Sequence, residues 1–374
     1  MQNLLVNKVI VKTNLMNFCQ KEMQAYFESI NEKSFHAKQV FKWIHQKGII
    51  SFEQMSDLSK SLRQKLILVS EVVAPKVVFD KSSNDGTHKW LIDVGGNLVE
   101  TVYIPEGSRG TLCLSSQVGC TLNCSFCSTG KQGFNRNLSV AEIIGQLWTV
   151  VRALSKQNGE HDRQITNIVM MGMGEPLMNF DAVVKAMDIM MDDLAYGLSK
   201  RRVTLSTSGV VPRIYDLLEQ SDVSLAVSLH AANDELRNVL VPINKKYNID
   251  ALMDACNLYA QKGPHKEITF EYTLMEHVND ELLHAKELVT LLQSKQVPSK
   301  INLIPFNAYL NTPYKKPSNN RTHRFQQYLM NSGFVATVRK TRGDDIDAAC
   351  GQLAGKIQDR TKRKALYHRT LGEV

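Results

Sequence analysis

The chain has 374 residues, 43% hydrophobic and 22% charged, an ordinary globular composition long enough for two or three domains. Its 21 glycines and 10 prolines exclude a collagen-like chain, and no run nears the roughly 18 apolar residues of a membrane span. Lys and Arg (45) exceed Asp and Glu (37), and this +8 excess points to a polyanionic partner.

Residues 1 to about 70 read as a helical unit. Apolar residues recur at helical spacing over Met16–Ile30, Ala37–Lys47 and Phe52–Leu68, the last with Ser56 or Asp57 placed to cap it. Three β-branched or alternating runs follow: Val72–Phe79, His88–Val94 and Leu98–Ile104. With turns at Asn84-Asp85-Gly86 and Gly95-Gly96-Asn97, they predict a small antiparallel element over 71–105 linking two parts of the protein. From Gly110 onward, strands and helices alternate. The predicted strands are Thr111–Ser115, Ile165–Met171, Arg202–Ser206, Val223–Leu229, Ile268–Leu274 and Ile301–Ile304. The predicted helices are Val140–Leu154, Phe180–Met191, Val211–Leu218, Ile249–Ala260, Glu281–Leu292 and Arg321–Met330. Such alternation over 106–345 predicts an α/β fold, a parallel sheet with helices outside and ligand sites at the C-terminal strand ends. The pattern does not say how far the sheet closes. Residues 346–374 hold Cys350 and a basic tail.

Three of the seven cysteines crowd into Cys120-Thr-Leu-Asn-Cys124-Ser-Phe-Cys127, after the first strand of the alternating region. With no clear signal-peptide pattern at the start, the chain is expected in the cytoplasm, where such a cluster reads as metal or redox chemistry rather than a disulfide framework. Three thiolates can hold a four-iron cluster and leave one iron open to a substrate or cofactor. The alternative is structural zinc completed by a ligand such as His161, although structural zinc usually takes its ligands in two pairs.

This CxxxCxxC loop, following the first strand of a (βα)6 unit, resembles the signature of radical S-adenosylmethionine (radical SAM) enzymes. The stretches Gln117–Gly130 and Gln132–Leu138 resemble the RlmN family of bacterial RNA adenine-C2 methyltransferases. So do Met171-Gly-Met-Gly-Glu-Pro-Leu-Met-Asn179, Thr204–Val210, Ser228-Leu-His-Ala231, Asn302–Asn307 and Arg339–Leu353. The resemblance runs from about residue 30 to about residue 360. It implies a partial (βα)6 barrel, an N-terminal helix-hairpin-helix-like RNA-binding accessory domain over 1–70, and a radical SAM core over 106–345. The implied cofactors are a 4Fe–4S cluster on Cys120, Cys124 and Cys127 and SAM on its open iron. SAM contacts are implied at Gly174, Glu175, Ser206, Ser228, Leu229, His230 and Asn307. Read alone, Gly172-x-Gly174 could be an ordinary strand-to-helix turn, and His230 could cap a helix or simply pack.

The family mechanism gives Cys113 and Cys350 distinct roles. Cys350 is methylated by a first SAM. A radical made from a second SAM takes hydrogen from that methyl, and the carbon radical adds to C2 of adenine, giving a protein–RNA crosslink. Proton removal, with Glu100 as implied acceptor, and attack by Cys113 on Cys350 release the product and leave a disulfide. On residue type alone, Cys113 between Leu112 and Leu114 reads as a core thiol, and Glu100 equally as an exposed edge-strand carboxylate. Cys350, among small residues before a possible helix at Gln352, reads as a reactive thiol. The implied partners are 23S ribosomal RNA, tRNA and a flavodoxin-type electron donor; a monomer and no membrane contact are expected. Basic clusters at Lys200-Arg201-Arg202, Lys315-Lys316, Lys356–Arg369 and Lys33, Lys38, Lys42 and Lys47 are candidate phosphate contacts. The related C8 methyltransferases share the cluster and both cysteines, so these residues do not choose between C2 and C8. A zinc-stabilised RNA-binding protein is the reading from another class.

Overall fold

The computed structural model describes residues 12–158, 164–262, 267–309 and 312–353. Helices α1 (Gln20–Ser29), α2 (Ser34–His45) and α3 (Lys60–Val69) form the N-terminal unit. Met23, Phe27, Val40, Phe41, Ile44, Leu62 and Leu66 recur at helical spacing and are buried, which holds the three helices to one core. Ser59 caps α3, accepting the Leu62 N–H at 3.2 Å. Asp57, one of the two expected caps, instead accepts the Trp43 indole N–H at 2.6 Å. Short strands β1 (Thr13–Asn14) and β2 (Ser70–Glu71) pair in parallel and tie the start of this unit to its end.

A ten-stranded sheet carries the rest. Its first four strands are antiparallel: β3 (Lys76–Ser82), β4 (His88–Asp93), β5 (Leu98–Glu106) and β6 (Arg109–Cys113). After β6 comes a hairpin of β7 (Gln117–Gly119) and β8 (Phe134–Asn137), enclosing the three-cysteine loop and the short helix α4 (Ser128–Gln132). Helix α5 (Val140–Asn158) follows. It opens with a reciprocal cap: the Glu142 N–H donates to Ser139 Oγ, and the Ser139 N–H to Glu142 Oε2.

The chain then winds through β9 (Asn167–Met170), α6 (Phe180–Met191), β10 (Val203–Thr207), α7 (Val211–Gln220) and β11 (Ser224–Ser228). It continues through α8 (Asp234–Leu240), α9 (Ile249–Lys262), β12 (Ile268–Leu274), α10 (Leu282–Ser294), β13 (Ser299–Pro305), α11 (Asn319–Asn331) and β14 (Val335–Val338). Among the described residues β6 pairs in parallel with β9, and parallel pairing continues in order to β14. The order β14-β13-β12-β11-β10-β9-β6-β5-β4-β3 is open, with no pairing of β14 to β6. Leu225, Ala226 and Val227 on consecutive positions of β11 are all buried, as expected where both faces of a parallel strand are covered.

The six expected strand–helix units are present, with β12 and α6 at the expected bounds. Several short elements have no counterpart in the sequence reading: β1, β2, β7, β8, α4, α8 and β14. The expected antiparallel element is present, and it is continuous with the parallel strands. The pairs Val102↔Cys113 and Cys113↔Val169 carry one ladder from β5 through β6 into the parallel strands. Only the turn at Gly107–Ser108 separates β5 from β6, and its residues cannot distinguish a hairpin from a domain boundary.

Candidate active site

The C-terminal ends of the parallel strands surround a cavity of about 940 Å³, counted out to its mouth. Cys120, Cys124 and Cys127 enter from the loop between β7 and β8, and Gly172, Gly174 and Glu175 after β9. Ser206–Ser208 lie at the end of β10, Ser228 and His230 at β11, Glu271 and Thr273 on β12, and Arg339 beyond β14. Cys350 and Gly351 complete the wall. This is the strand edge at which the alternating pattern places ligands.

The three-cysteine loop is fixed at its base. The Cys120 N–H donates to the Gly133 carbonyl at 2.9 Å, closing the β7–β8 hairpin. Leu122, Cys124 and Phe126 pack into a small apolar cluster with Ala231, Leu240, Met275 and Phe306. Burial pushes the Cys124 thiol up to about 12 and raises Cys120 and Cys127 as well; neighbouring thiolates add to the rise at Cys120 and Cys124. Thiols in such a place ionise only beside added positive charge, which a bound metal centre supplies.

Among the described residues no three His, Cys, Asp or Glu side chains converge on a single-ion position. A four-iron cluster takes each cysteine at a different iron, so sulfurs spread around a cavity suit it. His161, the zinc alternative's fourth ligand, lies outside the described residues.

The glycines of the β9 turn are there for space. A Cβ at Gly174 would lie 2.5 Å from Gln117 Cβ, and the backbone has φ +100°; a Cβ at Gly172 would lie 2.7 Å from Leu114 carbonyl atoms. Glu175 reaches the cavity and also caps the turn. Its Oε1 accepts the Leu177 N–H at 3.1 Å and its Oε2 the Ser208 N–H at 2.8 Å, while burial raises its pKa. Gly174→Ala is expected to destabilise the fold by about 1–3 kcal/mol, because it combines a positive φ with a backbone-level clash. Calorimetric unfolding checks this, and an unchanged transition contradicts the packing described.

Ser228 and His230 face the cavity, whereas Leu229 between them points into the core, fully buried. The Leu229 side chain is therefore outside the cavity wall, turned away by alternation along the segment. His230, at φ +60°, accepts the Thr273 N–H on Nδ1 at 3.0 Å, and burial pushes it down to about 3, so it is neutral. It does not cap α8; Asn233 does. Asn307 is not in the cavity wall. Its Nδ2 donates to the Cys350 carbonyl at 3.3 Å, and its Oδ1 accepts from Thr341 Oγ1 at 3.2 Å.

Cys113 ends β6, and burial first, then the nearby Cys350 thiolate, push it up to about 12. All seven cysteines are free, so the Cys113–Cys350 disulfide of the family mechanism is not formed in this structure. No helix begins at Gln352, which lies in a turn. The charge beside Cys350 is instead Arg339, whose guanidinium is held further toward its charged form by the Cys350 thiolate, Glu271 and Cys113. Sequence reasoning quoted Arg339 and Glu271 at most within a motif or a strand and gave neither a role. A buried arginine was missed too. Arg237 donates to the carbonyls of Leu229, Ser208 and Ser228 and to Asn244, bracing the ends of β10 and β11.

The Cys350 loop is held from three sides. The Ser128 N–H meets the Gly351 carbonyl at 2.9 Å, Thr129 Oγ1 the Leu353 carbonyl at 2.6 Å, and Gln352 Nε2 the Ala308 carbonyl at 2.8 Å. From the β3–β4 turn, Ser83 Oγ donates to Asp345 Oδ1 at 2.5 Å, and Asp85 Oδ2 accepts the Gly343 N–H at 3.1 Å. Glu100 lies on interior strand β5 and is 8% exposed, which removes the exposed-edge reading.

Lys33, Lys38, Lys42 and Lys47 are exposed on the helical unit, with the Lys47 ammonium 3.5 Å from the Trp43 ring centroid. Lys200–Arg202 are placed differently from a site-side cluster. They precede β10, at the N-terminal sheet edge opposite the cavity, and Lys200 pairs with Asp222. The basic tail lies outside the described residues. Among the described residues no helix is long and apolar enough to cross a membrane.

An open sheet of parallel strands, with three cysteines at its C-terminal edge beside a glycine turn, defines a radical SAM enzyme. Residues 114–289 match the radical SAM superfamily, and residues 13–72 match the ribosomal RNA large subunit methyltransferase N-terminal domain. The chain is 73% identical over 363 residues to the dual-specificity RNA methyltransferase RlmN of Francisella tularensis subsp. novicida (strain U112), covering 97% of this chain and 98% of that one. It is 72% identical, with the same coverage, to the protein of that name from subsp. mediasiatica (strain FSC147). A crystal structure of a radical SAM methyltransferase from Sphaerobacter thermophilus superposes with a TM-score of 0.85 at 39% identity, covering 91% of this chain and 99% of that chain. The chain belongs to the RlmN family. That membership implies SAM and a 4Fe–4S cluster, and the buried three-cysteine cavity fits them.

Proposed function

We propose that this protein methylates C2 of adenine in 23S ribosomal RNA and tRNA, with Cys350 as methyl carrier. The observation that carries the reading is the position of Cys350 in the wall of the three-cysteine cavity, with Cys113 near enough to respond to its charge. Bound at the cluster, SAM supplies on one-electron reduction a radical that can take hydrogen from a methyl group. The Cys350 sulfur first takes a methyl by displacement from another SAM molecule, with the Arg339 cation beside it. Adenine C2 is electron-poor and does not attack a sulfonium methyl, so the carbon on Cys350 must add to it as a radical.

The resulting radical adduct gives up one electron, returned to the oxidised form of the electron donor that supplied the first, and its C2 proton passes to Glu100. Cys113 then attacks the Cys350 sulfur. The sulfur–carbon bond breaks, its electron pair takes a proton to complete the methyl group, and the two sulfurs are left as a disulfide. A thiol raised to about 12 does not ionise unaided, and Arg339 offsets the charge as Cys113 attacks. An external thiol reductant restores the pair, and a flavodoxin-type protein is the proposed electron donor.

The test is anaerobic incubation of unmodified RNA with reconstituted protein, SAM and reductant, followed by nucleoside mass spectrometry against standards. 2-Methyladenosine is the expected product. 8-Methyladenosine would move the target carbon while keeping the cysteine roles. Absence of both from a cluster-loaded protein would overturn the reading.

A further inference from the structure

Lys89 connects two parts of the site. On β4 it pairs with Val102 of β5, and Val102 pairs with Cys113 of β6. Paired residues share a sheet face, as do residues two apart on a strand, so Lys89, Glu100 and Cys113 project from the same face. The Lys89 ammonium lies 3.5 Å from Glu100 Oε1, with side-chain exposures of 13% and 10%. The same ammonium donates to the Asp347 carbonyl at 3.1 Å. Asp347 stands three residues before Cys350 at φ +51°, a left-handed conformation uncommon outside glycine though aspartate adopts it more readily than most.

A lysine this buried is costly without partners, and here both partners belong to the reaction's apparatus. We infer that Lys89 is a positioning residue that fixes the proton acceptor and the methyl carrier to one anchor. Its charge holds the Glu100 carboxylate in place, and its second hydrogen bond holds the loop bearing Cys350 at a set distance from that carboxylate. An ammonium suits the task because its three donors can serve a carboxylate and a carbonyl together. The inference rests on the roles proposed above for Glu100 and Cys350.

Lys89→Met removes the charge and keeps the length; Lys89→Arg keeps the charge. Each is compared with wild type in a single anaerobic turnover, following methylation of the Cys350 peptide and the covalent protein–RNA adduct by mass spectrometry. In Lys89→Met, Cys350 should be methylated to the wild-type extent while the adduct decays about 100-fold more slowly, the scale expected for a misplaced proton acceptor. Lys89→Arg should restore most of the decay rate. Adduct decay at the wild-type rate in Lys89→Met overturns the inference. So does loss of Cys350 methylation without any adduct, which marks a general defect of the loop. If wild type makes no 2-methyladenosine in the same reactions, the underlying reading fails and the inference with it.

Discussion

Protein carrying Cys113→Ala is expected to leave an anaerobic turnover reaction covalently joined to its RNA. In the proposed cycle the Cys350–methylene–adenine link forms without Cys113, and only a second thiol breaks it. Cys113 is 9% exposed at the end of β6, and among the described residues the thiol coupled to it is Cys350. Water cannot take over, because it is a far weaker nucleophile toward the thioether sulfur than a thiolate. The adduct should therefore approach one per active protein, and released methylated RNA should fall to nothing. The substitution removes one buried sulfur and should cost about 1 kcal/mol of stability, too little to unfold the protein. A denaturing gel before and after nuclease digestion gives the answer. RNA-free Cys113→Ala protein with normal product would remove Cys113 from the mechanism.

Cys350→Ala should abolish both product and adduct while leaving the iron content after reconstitution at the wild-type level. Its sulfur is not one of the three in the loop between β7 and β8, and its own loop is anchored by backbone and neighbouring side chains that alanine leaves intact. Cys124→Ala should differ sharply, losing iron and product together. Combining Cys350→Ala with Cys113→Ala should remove the adduct that Cys113→Ala alone accumulates. An adduct persisting in the double variant would show that another residue carries the methyl group.

Much of this arrangement is legible in the sequence, because parallel strand–helix units leave a strong periodic trace and the cluster cysteines fall within eight residues. What periodicity misses is direction and distance. Leu229 sits between two cavity residues and faces the core, which only the course of the segment after β11 decides. Asn307, a SAM contact by resemblance, bonds the Cys350 carbonyl, which becomes visible only once the last loop folds back over the strand ends. Lys200–Arg202 look like any basic cluster until β10 places them at the far edge of the sheet. Lys89 carries no signal of its own within the His88–Val94 run, and its partners Glu100 and Asp347 become visible only once β4 and β5 are in register.

The contacts on the Cys350 loop also bear on the order in which the enzyme becomes competent during synthesis. Ser83 and Asp345 lie 262 positions apart, and Thr129 and Leu353 are 224 apart. Chains emerge from the ribosome N-terminus first and domains fold as they appear. The three-cysteine loop and the strand ends around it are made long before the segment that carries the methyl group. A nascent or truncated chain ending before Gly343 would hold the three proposed cluster ligands and lack the proposed carrier. On the proposed roles, the residues for making the radical would then precede the group that directs it.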